Sequence, residues 1–241
     1  YIIFYLNTCY KMIGSEIMHQ YPMIYILKAI MLMGVLGMIL GSLLAIIQVD
    51  IKRMTAYSSV AQIGYIFMGI GLGSPLGLVA AIYHVISHIL TKSMLFLITG
   101  LTGHRAGNRK INNLYGIGIE MPVTMALYTV GAMSMIGIPL FMGFISKFNF
   151  ALGIIESNNW WVMIILVISG LLNIIYYLPI SLRGYFGKIA QDKLDNGLAF
   201  KYERKFTETL PILILGVAVV ALGIFSSGLL GIITKGVSAL F

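Results

Sequence analysis

The chain has 241 residues, of which 59% are hydrophobic and only 10% charged, with a mean hydropathy of +0.94. A water-soluble globule carries roughly 45–50% apolar residues, so this composition excludes one and specifies a multi-pass, integral membrane protein in contact with lipid. The formal net charge of +8 does not point to nucleic acid, because the basic residues sit between apolar segments rather than among aromatics on a soluble domain.

About 20 apolar residues are needed to cross a bilayer. On that ruler residues 1–14 are the tail of one helix, and spans follow at 23–48, 52–72, 76–101, 121–155, 160–186 and 207–234, in a single membrane domain over 1–241. The opening Tyr1-Ile2-Ile3-Phe4-Tyr5-Leu6 has no basic region and no cleavable signal pattern, and reads as a fragment or split product that starts partway through a helix. The single cysteine, Cys9, leaves no internal disulfide and no multi-cysteine metal or iron–sulfur site. No cofactor is expected in this chain.

In the 23–48 span, Lys28 lies close enough to the helix start to snorkel to the surface. The 52–72 span opens on Asp50-Ile51-Lys52-Arg53. Lys52, Ser59 and Gln62 recur at helical spacing and give an apolar helix one polar face. That face can hold a file of water, or the charged cluster can be an interfacial group at a helix end.

In the 76–101 span, His84, His88 and Lys92 stand at i, i+4 and i+8 on one stripe, flanked by Ser87 and Thr91. Neutral imidazole both donates and accepts, so this stripe can pass a proton stepwise through bound water. The histidine spacing also fits two metal ligands, yet no carboxylate or thiol accompanies them, so no metal is expected. Packing histidines satisfied by neighbouring hydroxyls are the third reading.

The 121–155 span is too long for one crossing and carries Gly137-Ile138-Pro139 with Gly143 after it. Proline removes a backbone donor and clashes with the preceding turn, which predicts a discontinuous helix broken at 137–143 near mid-membrane, with Lys147 one turn past it. A kink for packing alone, with Lys147 reaching a freed carbonyl, is the alternative. Asn173, Tyr176 and Tyr177 add polar groups to the 160–186 span, while Trp160 and Trp161 fit an interfacial belt.

The connections 49–53, 102–120 and 183–206 hold most of the basic loop residues, against Lys11 and Lys235 on the other side. The positive-inside rule makes that first side cytoplasmic, or matrix-facing in an organelle. All eight acidic residues fall in loops or at span boundaries. The lysines at depth therefore pair with another chain, with a missing part of this one, with water, or shed their protons.

The motifs Gln48-Val49-Asp50-Ile51-Lys52-Arg53-Met54-Thr55-Ala56-Tyr57-Ser58-Ser59, His84…His88…Lys92 and Gly137-Ile138-Pro139…Gly143-Phe144…Ser146-Lys147, in this order, resemble the antiporter-like membrane subunits of respiratory complex I, energy-converting membrane hydrogenases and multisubunit cation/proton antiporters. Leu172-Asn173-Ile174-Ile175-Tyr176-Tyr177-Leu178-Pro179 looks closest to the D-type branch. The family commonly has a second proline where Leu140 stands.

The resemblance implies an all-α transmembrane bundle, the second half of an inverted-repeat antiporter-like fold. By position it makes Lys52 a central relay lysine, His84, His88 and Lys92 a connecting polar axis, and Lys147 the broken-helix lysine near the exit. It implies a proton-translocating subunit, not catalytic alone, in a redox-driven complex of hydrogenase or NADH dehydrogenase type. A sodium/proton antiporter subunit without redox coupling is the alternative, and a structural scaffold half-subunit the second. Partners are other membrane subunits, including one that supplies the missing first repeat, with protons and in the alternative sodium as cargo. The setting is a prokaryotic cell membrane, with the mitochondrial inner membrane as the other option.

Overall fold

The computed structural model describes residues 23–105, 107, 109–186 and 206–240. The expected helix tail 1–14, Cys9 and most of the 183–206 connection lie outside them. The described residues form helices joined by short turns and linkers, with an isolated antiparallel bridge between Asp50 and Lys110. In chain order they form α1 (Met23–Ile46), α2 (Ile51–Gly71), α3 (Pro75–Arg105), a 3-10 turn (Ile111–Leu114), α4 (Ile117–Glu120), α5 (Pro122–Ile136), α6 (Met142–Glu156), α7 (Trp160–Phe186), α8 (Phe206–Ile224) and α9 (Ser226–Ser238).

Small residues set the first hairpin. A β-carbon on Gly34 would lie 2.3 Å from the Met68 amide, and one on Gly64 2.5 Å from that of Met38. The α1 and α2 backbones therefore approach as closely as helices in lipid can, where van der Waals packing replaces the hydrophobic drive. Asp50 caps α2 by accepting the Arg53 amide at 2.9 Å, which fixes the helix start at Ile51, one residue before Lys52.

The 31-residue α3 is the axis of the bundle and packs against α2, α5, α6, α8 and α9. It begins on Pro75, whose missing donor is harmless at a first helical position. It continues beyond the apolar run expected to end at 101, because polar side chains are absorbed by its own backbone. Thr99 donates to the Phe96 carbonyl at 3.0 Å and Thr102 to that of Ile98 at 2.9 Å.

Among the described residues, four helices are both long and apolar enough to cross a membrane, within Ile24–Ile46, Pro75–His104, Trp160–Phe186 and Thr207–Ile224. The chain is an integral, multi-pass membrane protein. The other two expected spans differ for separate reasons. α2 has the length, but its polar stripe lowers its mean hydropathy. The 121–155 segment is two helices of 15 residues each, about 22 Å apiece at 1.5 Å per residue. Gly137 ends α5 at φ 95°, and Leu140 follows at φ 83°. The α6 start then lies beside the last turn of α5, with a β-carbon on Gly143 only 1.7 Å from the Ser134 carbonyl oxygen.

The 207–234 span also divides, at Phe225, where φ −96° and ψ 36° leave the helical region. Gly223 and Ser226-Ser227-Gly228 are weak helix formers. Gly223 also lets α8 touch the linker, since a β-carbon there would be 2.3 Å from the Leu140 carbonyl oxygen.

The three basic connections meet at one end. The Ile51 amide donates to the Arg109 carbonyl at 3.0 Å, Ile111 to Val49 at 2.8 Å and Gly116 to Arg183 at 3.1 Å. Arg183 Nη1 donates to Asn112 Oδ1 at 3.2 Å, and its guanidinium lies over the Tyr115 ring.

Candidate functional site

On α2, Thr55, Ser58, Gln62 and Tyr65 follow one another at steps of three and four and are all buried. They form the face turned toward α3 and α7. On α3, the buried His84, Ser87, Thr91 and Lys92 form the opposing stripe, with His88 half-buried beside them.

Lys92 is 4% exposed. Its Nζ donates to the Thr55 carbonyl at 2.9 Å, to Ser58 Oγ, and to the Tyr177 hydroxyl at 2.9 Å. An ammonium has three protons, and three uncharged oxygens receive them. Ser58 and Tyr177 are also bonded to each other at 2.9 Å.

Lys147 rises from the second turn of α6 and donates to the carbonyls of Met135 at 2.8 Å and Ile136 at 2.7 Å. These are orphan carbonyls of the last turn of α5, where the helix dipole favours a cation. The side chain is half-buried, but its amine is turned inward, 5.3 Å from the centre of the Tyr65 ring.

His84 joins the two halves. Its Nδ1 lies 2.9 Å from Ser146 Oγ, and that hydroxyl donates to the Gly143 carbonyl at 3.0 Å. When the Ser146 proton goes to that carbonyl, its oxygen can accept from Nδ1–H, and when His84 takes the other tautomer Nδ1 can accept instead. Its ring is 5.5 Å from that of Tyr65 and 6.3 Å from that of His88. Thr91 Oγ1 lies 3.4 Å from Ser134 Oγ, which in turn accepts the Gly143 amide at 3.3 Å.

Five buried polar atoms along the facing stripes have no hydrogen-bond partner among the described residues: Gln62 Oε1, Tyr65 OH, His84 Nε2, Ser87 Oγ and His88 Nε2. Leaving one such atom unpaired costs about 1–3 kcal/mol, and the common remedy is water. A polar group reaches in from α7 as well. Asn173 Nδ2 donates to the Met135 carbonyl at 3.3 Å, its Oδ1 accepts from Gln62 Nε2 at 3.5 Å, and it also accepts from the Tyr176 hydroxyl.

The structure thus brings together Gln62, His84, Ser87, His88, Thr91, Lys92 and Lys147. Lys52 does not join them. It is exposed in the first turn of α2, because the Asp50 cap starts the helix there and leaves the amine at a helix end rather than inside an apolar run. Lys28 is exposed too. Ser59 is half-buried and donates within its own helix to the Thr55 carbonyl at 3.2 Å. Gly137 and Gly143 shape the α5–α6 junction, whereas Pro139 is exposed in the linker between them.

Thr55, Ser58, Tyr65, Ser134 and Ser146 are site residues that the sequence pattern did not single out. For α2 the available signal was a second stripe, 55, 58, 62 and 65, one helical step from the stripe through 52, 59 and 62. Ser146 stands in the Gly143…Ser146-Lys147 motif but was given no role of its own, and Ser134 is a lone hydroxyl in an apolar helix with no comparable pattern.

Residues 9–173 match the transmembrane family of NADH:quinone oxidoreductase and Mrp antiporter subunits. Over 201 residues the chain is 39% identical to the N subunit of the NADH-quinone oxidoreductase of Desulforudis audaxviator, covering 80% of this chain and 40% of that protein. Over 186 residues it is 29% identical to the D-type subunit of the Na(+)/H(+) antiporter of Alkalihalophilus pseudofirmus, covering 77% and 37%. Its fold matches a chain of the membrane-bound sulfane sulfur reductase, an archaeal respiratory membrane complex, with a TM-score of 0.79 and 27% identity over 90% of this chain and 42% of that one. The chain spans about 40% of the length of the first of these relatives.

Proposed function

Because the chain belongs to the family of antiporter-like membrane subunits shared by NADH:quinone oxidoreductases and Mrp antiporters, we propose that it moves protons along an axis through Lys92, His88, His84 and Lys147, within a redox-driven membrane complex. The observation that carries this reading is the pair of inward-turned amines with partnerless imidazole nitrogens on the stripe between them. The hydrogen bonds of the two amines all run to neutral oxygens, so either can release its proton without abandoning a buried carboxylate.

Charges on neighbouring sites couple strongly enough to pass a signal. At about 8 Å and an effective dielectric constant of about 20, two unit charges interact by roughly 2 kcal/mol. A change of charge at one end therefore biases protonation at the next site. Relatives of complex I type support the redox-coupled form, and other membrane subunits would supply the driving chemistry.

The second reading is exchange of a cation for protons, supported by the likeness to a Na(+)/H(+) antiporter protein. The amines and imidazoles of the axis favour protons as the moving species here, since sodium requires a cage of oxygens.

The test is proton flux in vesicles carrying the assembled complex, for the parent, Lys92→Met and Lys147→Met. Loss of at least tenfold in both, with assembly intact, is the expected result. Normal flux in both overturns the reading and leaves a scaffold. Sodium-dependent flux without any electron donor favours the exchanger.

A further inference from the structure

A cavity of about 320 Å³ opens at the basic end, between the end of α1, the 3-10 turn and α7. Gln48, Asn112 and Arg183 supply its polar side chains, and Ile180 and Tyr176 are among its buried lining residues. The axis through Lys92 and Lys147 does not use this cavity, yet Tyr176 touches both.

The connections run in two directions from that residue. Tyr176 OH donates to Asn173 Oδ1, and Asn173 Nδ2 donates at 3.3 Å to the Met135 carbonyl. The same carbonyl accepts Lys147 Nζ at 2.8 Å. In the other direction, the Tyr176 ring lies 4.7 Å from that of Tyr177, whose hydroxyl accepts from Lys92 at 2.9 Å. One side chain therefore touches the cavity and the partners of both amines. Beside it, Gln62 Oε1 is buried with no partner among the described residues, a position suited to water.

We infer that this cavity is the aqueous inlet of the axis on the basic side, and that Tyr176 is the positioning residue where the inlet meets it. Its hydroxyl holds Asn173 toward Gln62 and the end of α5, so that the two amides order the water that continues inward. The cavity has the volume to hold several waters, and Gln48, Asn112 and Arg183 offer them hydrogen-bond partners at its wall.

The inference rests on the proposed proton axis, and the experiment separates the two. In the assembled complex, Cys9→Ser provides the background, and Asn112→Cys and Ile180→Cys place thiols in the cavity lining. A small, charged, membrane-impermeant methanethiosulfonate reagent is applied from the basic side, with modification followed by mass spectrometry. Both thiols are expected to react, and proton flux to fall at least fivefold, recovering on reduction. Failure of Ile180→Cys to react, or full modification with unchanged flux, overturns the inlet. Tyr176→Phe, which keeps the ring, is expected to lower flux at least threefold without slowing modification of Ile180→Cys, and parental flux overturns the role of Tyr176. Flux that is unaffected by Lys92→Met and Lys147→Met defeats the axis itself, whereas flux lost in those variants but unchanged by cavity modification defeats the inlet alone.

Discussion

Lys147 and Gly137 occupy the same space at the α5–α6 junction: a β-carbon on Gly137 would lie 2.8 Å from Lys147 Cδ. The glycine is therefore required twice, once for its φ of 95° and once for the room it leaves the lysine stem. Any side chain here adds backbone strain of about 1–2 kcal/mol and pushes the amine away from the Met135 and Ile136 carbonyls. Gly137→Ala is expected to lower thermal stability in detergent and to cut flux at least fivefold. Stability that drops while flux holds would show that the amine does not need this seat.

The second lysine is held by a triangle whose members can be removed singly. Ser58→Ala and Tyr177→Phe each leave Lys92 with two of its three oxygens, and the pair leaves only the Thr55 carbonyl. Because Ser58 and Tyr177 bond each other, their effects should be non-additive, with a coupling of about 0.5–3 kcal/mol. A double-mutant cycle on flux checks this. Strict additivity would mean that the two hydroxyls act on Lys92 independently.

The helical, membrane-spanning character of the chain was legible because lipid demands long apolar runs, and such runs need no tertiary information to be seen. The His84, His88 and Lys92 stripe was legible for a similar reason: polar residues at helical spacing in apolar surroundings are visible without knowing what they face. Lys52 shows where this reasoning ends. An apolar window cannot tell a lysine in the first turn of a helix from one at its middle, and the Asp50 cap that decides the matter is a local hydrogen bond. The stripe of Thr55, Ser58, Gln62 and Tyr65 was hidden because its register depends on which face of α2 meets α3, a property of packing. The divisions at 137–141 and at Phe225 likewise depend on close contacts, such as Gly223 against Leu140, as much as on local propensity.

The contrast between the lysines is itself testable. Lys52 is exposed at the start of α2, while Lys92 is 4% exposed and bonded to three oxygens. Surface substitutions away from special features usually shift stability by no more than about 0.5 kcal/mol. Lys52→Gln is expected to keep flux within twofold of the parent, against a loss of at least tenfold for Lys92→Met measured in the same vesicles. A loss in Lys52→Gln equal to that in Lys92→Met would restore Lys52 to the axis and require a neighbouring chain to bury it.

Leu140 is the residue in the linker whose backbone and side chain disagree. Its φ of 83° lies in the left-handed region, and its side chain is 67% exposed, so packing offers little compensation for the strain. Glycine adopts this conformation freely, and Leu140→Gly is expected to raise stability, by up to about 1 kcal/mol, with flux unchanged. Proline is locked near φ −65°. Leu140→Pro must therefore rebuild the linker, and its carbonyl is the group that Gly223 of α8 approaches. The expected result is a lower melting temperature in detergent together with reduced flux, because the start of α6 and the seat of Lys147 move with the linker. If Leu140→Pro matched the parent in both measurements while Leu140→Gly lost stability, the left-handed geometry at this position would be wrong.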